Sequence, residues 1–222
     1  MDILKLESKL TKNSGKRKKE IALLYENISA NLEREELIKA SFLLLYAHFE
    51  GFTKESIRNY LEFLNNQNIK VVDAILHLKT LHNCGKIVSL KQSNYKTKYH
   101  ELTESLYDCN QVFHVNYKDK NIVNTESNLK FKVLKEMLFM LGMNPNDFVL
   151  NIDQEDIKLS LRENFINSNI VGKRNQIAHG QMVGITYDDF IETKEFVVNY
   201  IDKLTEYIID FCEKEKYLIC KK

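Results

Sequence analysis

The chain has 222 residues, 44% of them hydrophobic and 28% charged, with a formal net charge of +1. That is enough for one large domain or two small ones with a real core, and the composition is ordinary for a folded globular protein. It excludes extended disorder, and it excludes a nucleic-acid binder that works by overall charge, so RNA binding would need a local patch or an assembled oligomer.

One proline and seven glycines predict long helices with few tight turns. No apolar run approaches the roughly 18 residues of a membrane span. The charged start MDILKLESKL does not read as a signal peptide. The four cysteines, Cys84, Cys109, Cys212 and Cys220, form no C-x-x-C pair. That argues against zinc and for free thiols in a reducing cytoplasm.

Residues 1–15 read as a short helix and a polar link ending at Asn13-Ser14-Gly15. The basic run Lys16–Lys19 reads as a solvated helix start, and Ile21, Leu24, Tyr25 and Ile28 predict a helix over about 16–32. The strongest helical pattern spans about 34–65, where Ile38, Phe42, Leu45, Phe49 and Phe52 recur at steps of four and three. A shorter apolar helix is expected at 71–82. Residues 86–100 hold Lys86, Lys91, Lys96 and Lys98 interleaved with Tyr95 and Tyr99, without an acid. Either this segment follows a nucleic-acid backbone, or it is a loop and a helix whose Tyr95, Tyr99, Leu102 and Leu106 face the core; the second is the simpler reading.

Residues 110–127 break the helical rhythm, which predicts a small hairpin or an irregular insertion. The helix of SNLKFKVLKEMLFMLG follows, closed by Gly142 and Pro145. Another is predicted over 155–167, around Ile157, Leu161 and Phe165. Thr186 then caps a long helix over about 187–216, with the stripe Val197, Ile201, Leu204, Ile208 and Phe211. With no repeat and no dividing linker, the chain reads as one all-α domain over 1–222, a bundle with an insertion around 86–127.

The stretch GKRNQIAHGQ, residues 172–181, carries the chemistry. On an ideal helix Arg174 and His179 lie about 140° apart, so they share a face only if the helix loosens near Ala178. Gly180 is placed to end it. Asn175 and His179, four apart, do share a face, so the asparagine amide is expected to hold one imidazole nitrogen and set the tautomer. Arginine followed by histidine at this spacing is a loose pattern. On residue types alone, a helix end with His179 at the free carbonyls and Arg174 in a surface ion pair is the simpler account.

RNQIAHG resembles the R-x4-6-H motif of the HEPN superfamily, in the form with a polar residue directly after the arginine. LLLYAHFEGFTKESI (43–57) and NTESNLKFKVLKEMLFMLG (124–142) resemble the corresponding helices of a branch found in bacterial defence and toxin–antitoxin loci. The resemblance implies a HEPN-like helical bundle that pairs as a homodimer. It also implies metal-independent RNA cleavage without a cofactor, with the Arg and His of both protomers lining one cleft. Arg174 and His179 become the catalytic pair and Asn175 the polar neighbour. The implied products are 2′,3′-cyclic phosphate and 5′-hydroxyl ends.

Glu50 stands out on a largely apolar helix face with Leu43, Tyr46, Ala47 and Ile57. A carboxylate there is either paired or functional. Lys54 is the obvious pairing partner; alternatively Glu50 faces the Arg174/His179 helix and orients it or moves a proton. Gly51 beside it lets another backbone approach. Three functional readings follow: an RNA-cleaving toxin or antiviral effector, restrained by an antitoxin or regulatory protein; an inactive nucleotide-binding or dimerisation scaffold; and a purely structural helical protein.

Overall fold

The computed structural model describes residues 1–31, 33–119, 121–152, 154–181 and 184–219. Its frame is three long helices, α1 (Ile3–Ser29), α2 (Glu35–Asn65) and α7 (Tyr187–Glu213), which pack on one another. The stripes expected on α2 and α7 are all buried. Between these two helices Phe49, Phe196 and Tyr200 form an aromatic cluster, with Phe49 and Tyr200 edge to face at 4.8 Å between ring centres. Such pairs add about 0.5–1.5 kcal/mol to the burial itself. The Tyr200 hydroxyl is satisfied inside this core by Thr53 Oγ1 at 2.9 Å.

Helix α1 corrects the expected break at Gly15. Leu6, Leu10, Ser14, Ile21 and Ile28 keep one buried face straight through the glycine, and Asp2 caps the helix by accepting the Lys5 N–H. The continuing apolar register outweighs a single helix-weakening residue. The 71–82 helix begins later and runs further than expected, as a short 3-10 turn at Val71–Asp73 and then α3 (Leu76–Gln92). Helix α4 (Thr97–Tyr107) packs on α3.

Tyr95, Tyr99 and Leu106 do not face the core as expected; they are 76%, 57% and 62% exposed. The cause is that α4 meets the rest of the protein on one narrow side. There Ser105 Oγ lies 2.7 Å from Asn83 Oδ1, to which it donates, and 3.0 Å from Gln111 Oε1. The described residues among 108–130 are irregular, apart from an isolated bridge between Lys70 and Val112.

The helix predicted at 155–167 is replaced by three elements. A hairpin of β1 (Val149–Ile152) and β2 (Glu155–Lys158) pairs Leu150 with Ile157, a 3-10 turn covers Leu159–Arg162, and a π-helical segment covers Phe165–Gly172. Leu161, one of the residues that predict that helix, is 74% exposed. Helix α5 (Phe131–Met140) ends as expected at Gly142, whose φ of +79° permits bonds from the Gly142 and Met143 N–H groups to the Phe139 and Leu138 carbonyls. The described cysteines, Cys84, Cys109 and Cys212, are free, and Cys220 lies outside the described residues. No helix among the described residues is long and apolar enough to cross a membrane.

Two glycines are expected to respond in opposite directions. A Cβ on Gly15 would meet nothing within 4 Å, so Gly15→Ala stabilises by about 0.5–1 kcal/mol. A Cβ on Gly142 would stand 2.1 Å from Ile75 Cδ1 at a left-handed φ, so Gly142→Ala destabilises by more than about 1 kcal/mol. Thermal unfolding of both variants checks the pair. Equal shifts of one sign would contradict the helix running through Gly15 or the tight end at Gly142.

Candidate functional site

The motif lies on α6 (Lys173–Ala178), a short helix that continues from the π-helical segment and packs against α2. Wide π turns recur at functional sites because they displace the following residues from regular α register. The near end of α6 is tied to α7: Lys173 Nζ stands 2.6 Å from Asp189 Oδ1. Asp189 also closes the capping box with Thr186. Burial pushes the Asp189 carboxyl up, but the bonds from Lys173 and Thr186 outweigh this and hold it below its ordinary value.

At its far end α6 stops as the sequence suggests. His179 is the C-cap with φ −91° and ψ 9°, and Gly180 turns left-handed at φ +68°. The Gly180 and Gln181 N–H groups close on the Ile177 and Gln176 carbonyls at 3.0 Å each. The His179 side chain is exposed just where the helix lets go.

Arg174 is held from three sides. Its guanidinium carbon sits 4.6 Å from the centre of the Tyr46 ring. Its Nη1 donates to Asn128 Oδ1 at 3.0 Å and to Asn175 Oδ1 at 2.7 Å. A cation over an aromatic face gains about 0.5–2 kcal/mol, more as water is excluded. The partners are a ring and two amide oxygens, and among the described residues Arg174 makes no ion pair, contrary to the surface-pair account. Its charge stays available to an anion. Asn175 is likewise corrected: its side-chain oxygen goes to Arg174 and does not set the His179 tautomer, because the arginine one residue before it lies within reach first.

Glu50 and Arg174 both bear on Tyr46. Glu50 accepts from Lys54 Nζ at 2.7 Å, as the simple pairing account has it, and also from the Thr125 hydroxyl. Burial pushes the Tyr46 phenol up to about 12, and Glu50 adds to this, while the Leu129 N–H and the Arg174 charge oppose it. Tyr46 is therefore a neutral phenol whose ring seats the arginine and whose oxygen accepts the Leu129 N–H at 2.8 Å. Glu50 is linked to Tyr46 by a hydrogen bond from the phenol. Against Gly51 the structure places the Arg17 guanidinium, not another backbone.

Tyr46, Thr125 and Asn128 are the site residues that sequence reasoning missed. Tyr46 and Asn128 lie inside the two quoted strings, and Tyr46 shares the Glu50 face at a spacing of four. Thr125 and Asn128 are presented by a turn in which Glu126 and Ser127 adopt φ of 52° and 64°. Each such residue costs roughly 1 kcal/mol, a strain that persists where surrounding contacts fix it. Tyr187 is half-buried, with its hydroxyl 3.4 Å from Ser29 Oγ. Among the described residues no group of three or more His, Cys, Asp or Glu side chains is gathered in a way that could hold a metal ion.

The Glu50 environment gives a pH signature. Burial pushes its carboxyl up, but hydrogen bonds from Lys54, Thr125 and Tyr46 and the Lys54 charge outweigh it, so the folded value lies below the ordinary 4.5. Stability from this group is fully present above about pH 4.5 and is lost as pH falls through the folded value. Denaturant unfolding across that acid window is expected to weaken wild type more than Glu50→Gln. Parallel curves would show that the carboxylate is not held in this way.

The family model described as RiboL-PSP-HEPN matches residues 12–210. No curated protein and no solved structure matches the chain. The matched span takes in α2, the Thr125–Asn128 turn and the whole of GKRNQIAHGQ, and membership carries a nuclease-type or nucleotide-binding role at the level of the family. The chain is a member of the HEPN superfamily, in its RiboL-PSP-HEPN family.

Proposed function

We propose that the chain is a metal-independent endoribonuclease, with Arg174 and His179 as its catalytic pair. The observation that carries this reading is the state of Arg174: fixed by the Tyr46 ring and two asparagine oxygens, and opposed by no carboxylate among the described residues. Both asparagine bonds leave from Nη1, so the rest of the planar fork is available to phosphate oxygens.

RNA supplies its own nucleophile. The 2′-oxygen loses its proton, attacks the adjacent phosphorus, and the bond to the 5′-oxygen breaks; that oxygen takes up a proton. The products are a 2′,3′-cyclic phosphate and a 5′-hydroxyl. Arg174 stabilises the charge that builds on the phosphorane, an effect that can supply several kcal/mol. His179, exposed at the loosened helix end, moves a proton on or off an oxygen. Asn175 and Tyr46 position the arginine, and Glu50 braces Tyr46 by accepting its hydroxyl.

The exposed end of α6 suits a homodimer in which two copies of the pair face one RNA strand. One protomer then contributes the proton-transfer group and the other complements its charge. A toxin or antiviral effector in the cytoplasm, restrained by an antitoxin or regulatory protein, is the setting in which such an activity is tolerated. An inactive nucleotide-binding or dimerisation scaffold is the second reading. It is favoured by one observation: Asn175 serves Arg174 and leaves the His179 ring without that partner.

Cleavage of RNA by purified protein in excess EDTA, wild type beside Arg174→Ala and His179→Ala, tests the proposal. Wild type is expected to cut and leave cyclic phosphate ends. Each variant is expected to lose at least about 100-fold in rate while remaining folded. Folded variants that cut as fast as wild type, or a wild type that binds RNA without cutting it, would assign the chain to the scaffold class.

A further inference from the structure

The basic run Lys16–Lys19 plays no part in the site around Arg174. It lies on α1, and its first two residues line a groove of 670 Å³ between α1 and α2, which Tyr117 and Lys118 also line. Six cations line this groove against two carboxylates, Glu55 and Glu62. In a chain of net charge +1, that is a concentrated positive field.

The groove is on the other side of α2 from the motif. At 100° per residue, Tyr46 and Glu50 lie on one side, and Gly51, Glu55, Arg58 and Glu62 are centred about 130° away. Lys9, Lys12 and Lys16 follow one another along α1 at helical steps, about 5–6 Å apart on the axis. Lys9 pairs with Glu62 at 2.6 Å and Lys16 reaches Glu20 only at 4.0 Å. Among the described residues Lys12, Arg58 and Lys118 make no ion pair.

The floor of the groove is built rather than incidental. Arg17 is fixed by its Nε–H to Asn13 Oδ1 at 2.9 Å, and its guanidinium lies over Gly51, where a Cβ would stand 3.0 Å from both Nη atoms. Beside it, Asn13 Nδ2 and Arg58 Nε are buried donors with no partner among the described residues. Buried donors left unpaired in an apolar setting cost about 1–3 kcal/mol each, and an incoming acceptor recovers it.

We propose that this groove binds the phosphodiester backbone of single-stranded RNA, with Lys12, Lys16, Arg58 and Lys118 on successive phosphates and the Tyr117 ring as a stacking platform for a base. A basic track with an aromatic beside it is the arrangement that holds a single strand without reading its sequence. Lysines spaced along a helix suit a charged chain that extends past them, and the half-buried ring suits a nucleobase better than an acidic peptide. The choice of RNA as the polyanion rests on the ribonuclease reading of Arg174 and His179; the groove itself does not.

The test uses the full chain carrying His179→Ala, so that RNA is not consumed, and a labelled oligouridylate of about 12 nucleotides, a length on the scale of known single-strand sites. Anisotropy titrations across a salt series compare it with the same chain carrying Lys12→Ala, Lys16→Ala and Lys118→Ala, three exposed lysines whose loss leaves the core intact. The groove variant is expected to bind at least about tenfold more weakly. Its slope of log K against log salt is expected to fall by about 2, from three lost contacts at about 0.7 each. Lys132→Ala with Lys135→Ala on α5 is expected to change neither.

Unchanged affinity and slope in the groove variant would overturn the proposal. So would displacement of the RNA by inorganic tripolyphosphate or by a poly-glutamate peptide at equal charge concentration, which would mark a small-anion or protein site. The two readings fail separately. A wild type that never cuts RNA but loses RNA binding with the three lysines keeps the groove and removes the ribonuclease. A wild type that cuts, with a groove variant that binds normally, does the reverse.

Discussion

A single cation on a single ring organises the site. Arg174 lies over the Tyr46 ring, and Tyr46 is fixed because it is buried on α2, which packs against α6, and because Leu129 donates to its oxygen. Three parts of the chain far apart in sequence meet there: α2, the strained turn before α5, and the motif helix. None of them has to be rigid alone. Each contributes one contact to the guanidinium, and the guanidinium in return ties α6 to both of the others. Leaving this charge without a carboxylate forgoes an ion pair, but a paired arginine would be a poor phosphate ligand because its fork would already be filled.

The motif answers to two descriptions at once. As local structure it is a helix end: a C-cap histidine, a left-handed glycine, and two N–H groups closing on carbonyls of the last turn. As chemistry it is the place where a helix stops holding its side chains in regular register, which exposes the histidine. The C-terminal cap is thus what exposes His179, and the helix-end part of the simple reading holds while its Arg174 ion pair does not.

Much of this architecture is legible in the sequence where apolar periodicity is strong. Helices α2 and α7 follow their stripes because a 3.6-residue repeat of large side chains has one way to be buried. Gly15 misleads because a lone glycine costs only about 1 kcal/mol, less than the register that Leu6, Leu10, Ile21 and Ile28 maintain across it. Residues 155–167 mislead differently. Ile157, Leu161 and Phe165 sit at helical spacing, yet Gln154 turns left-handed at φ +65° and Leu150 pairs with Ile157 across a hairpin. Short apolar runs do not distinguish these outcomes. At the site, Arg174, His179 and Glu50 were accessible from residue type and resemblance. Tyr46 and Asn128 were not, since their contacts with Arg174 cross 128 and 46 residues of sequence and no local pattern encodes them.

Helix α2 therefore presents two different features on two sides, a seat for one fixed arginine and a wall for a groove lined by six cations. The central claim is that Tyr46 acts through Arg174, and a double-mutant cycle on kcat/KM for RNA cleavage tests it most directly, with Tyr46→Leu and Arg174→Lys made singly and together. If the ring works by holding the guanidinium, Tyr46→Leu lowers the rate in wild type but adds little once Arg174 is lysine, giving a coupling of about 1 kcal/mol or more. Two losses that simply add would mean that the ring and the arginine act independently, and the account of the site would be wrong.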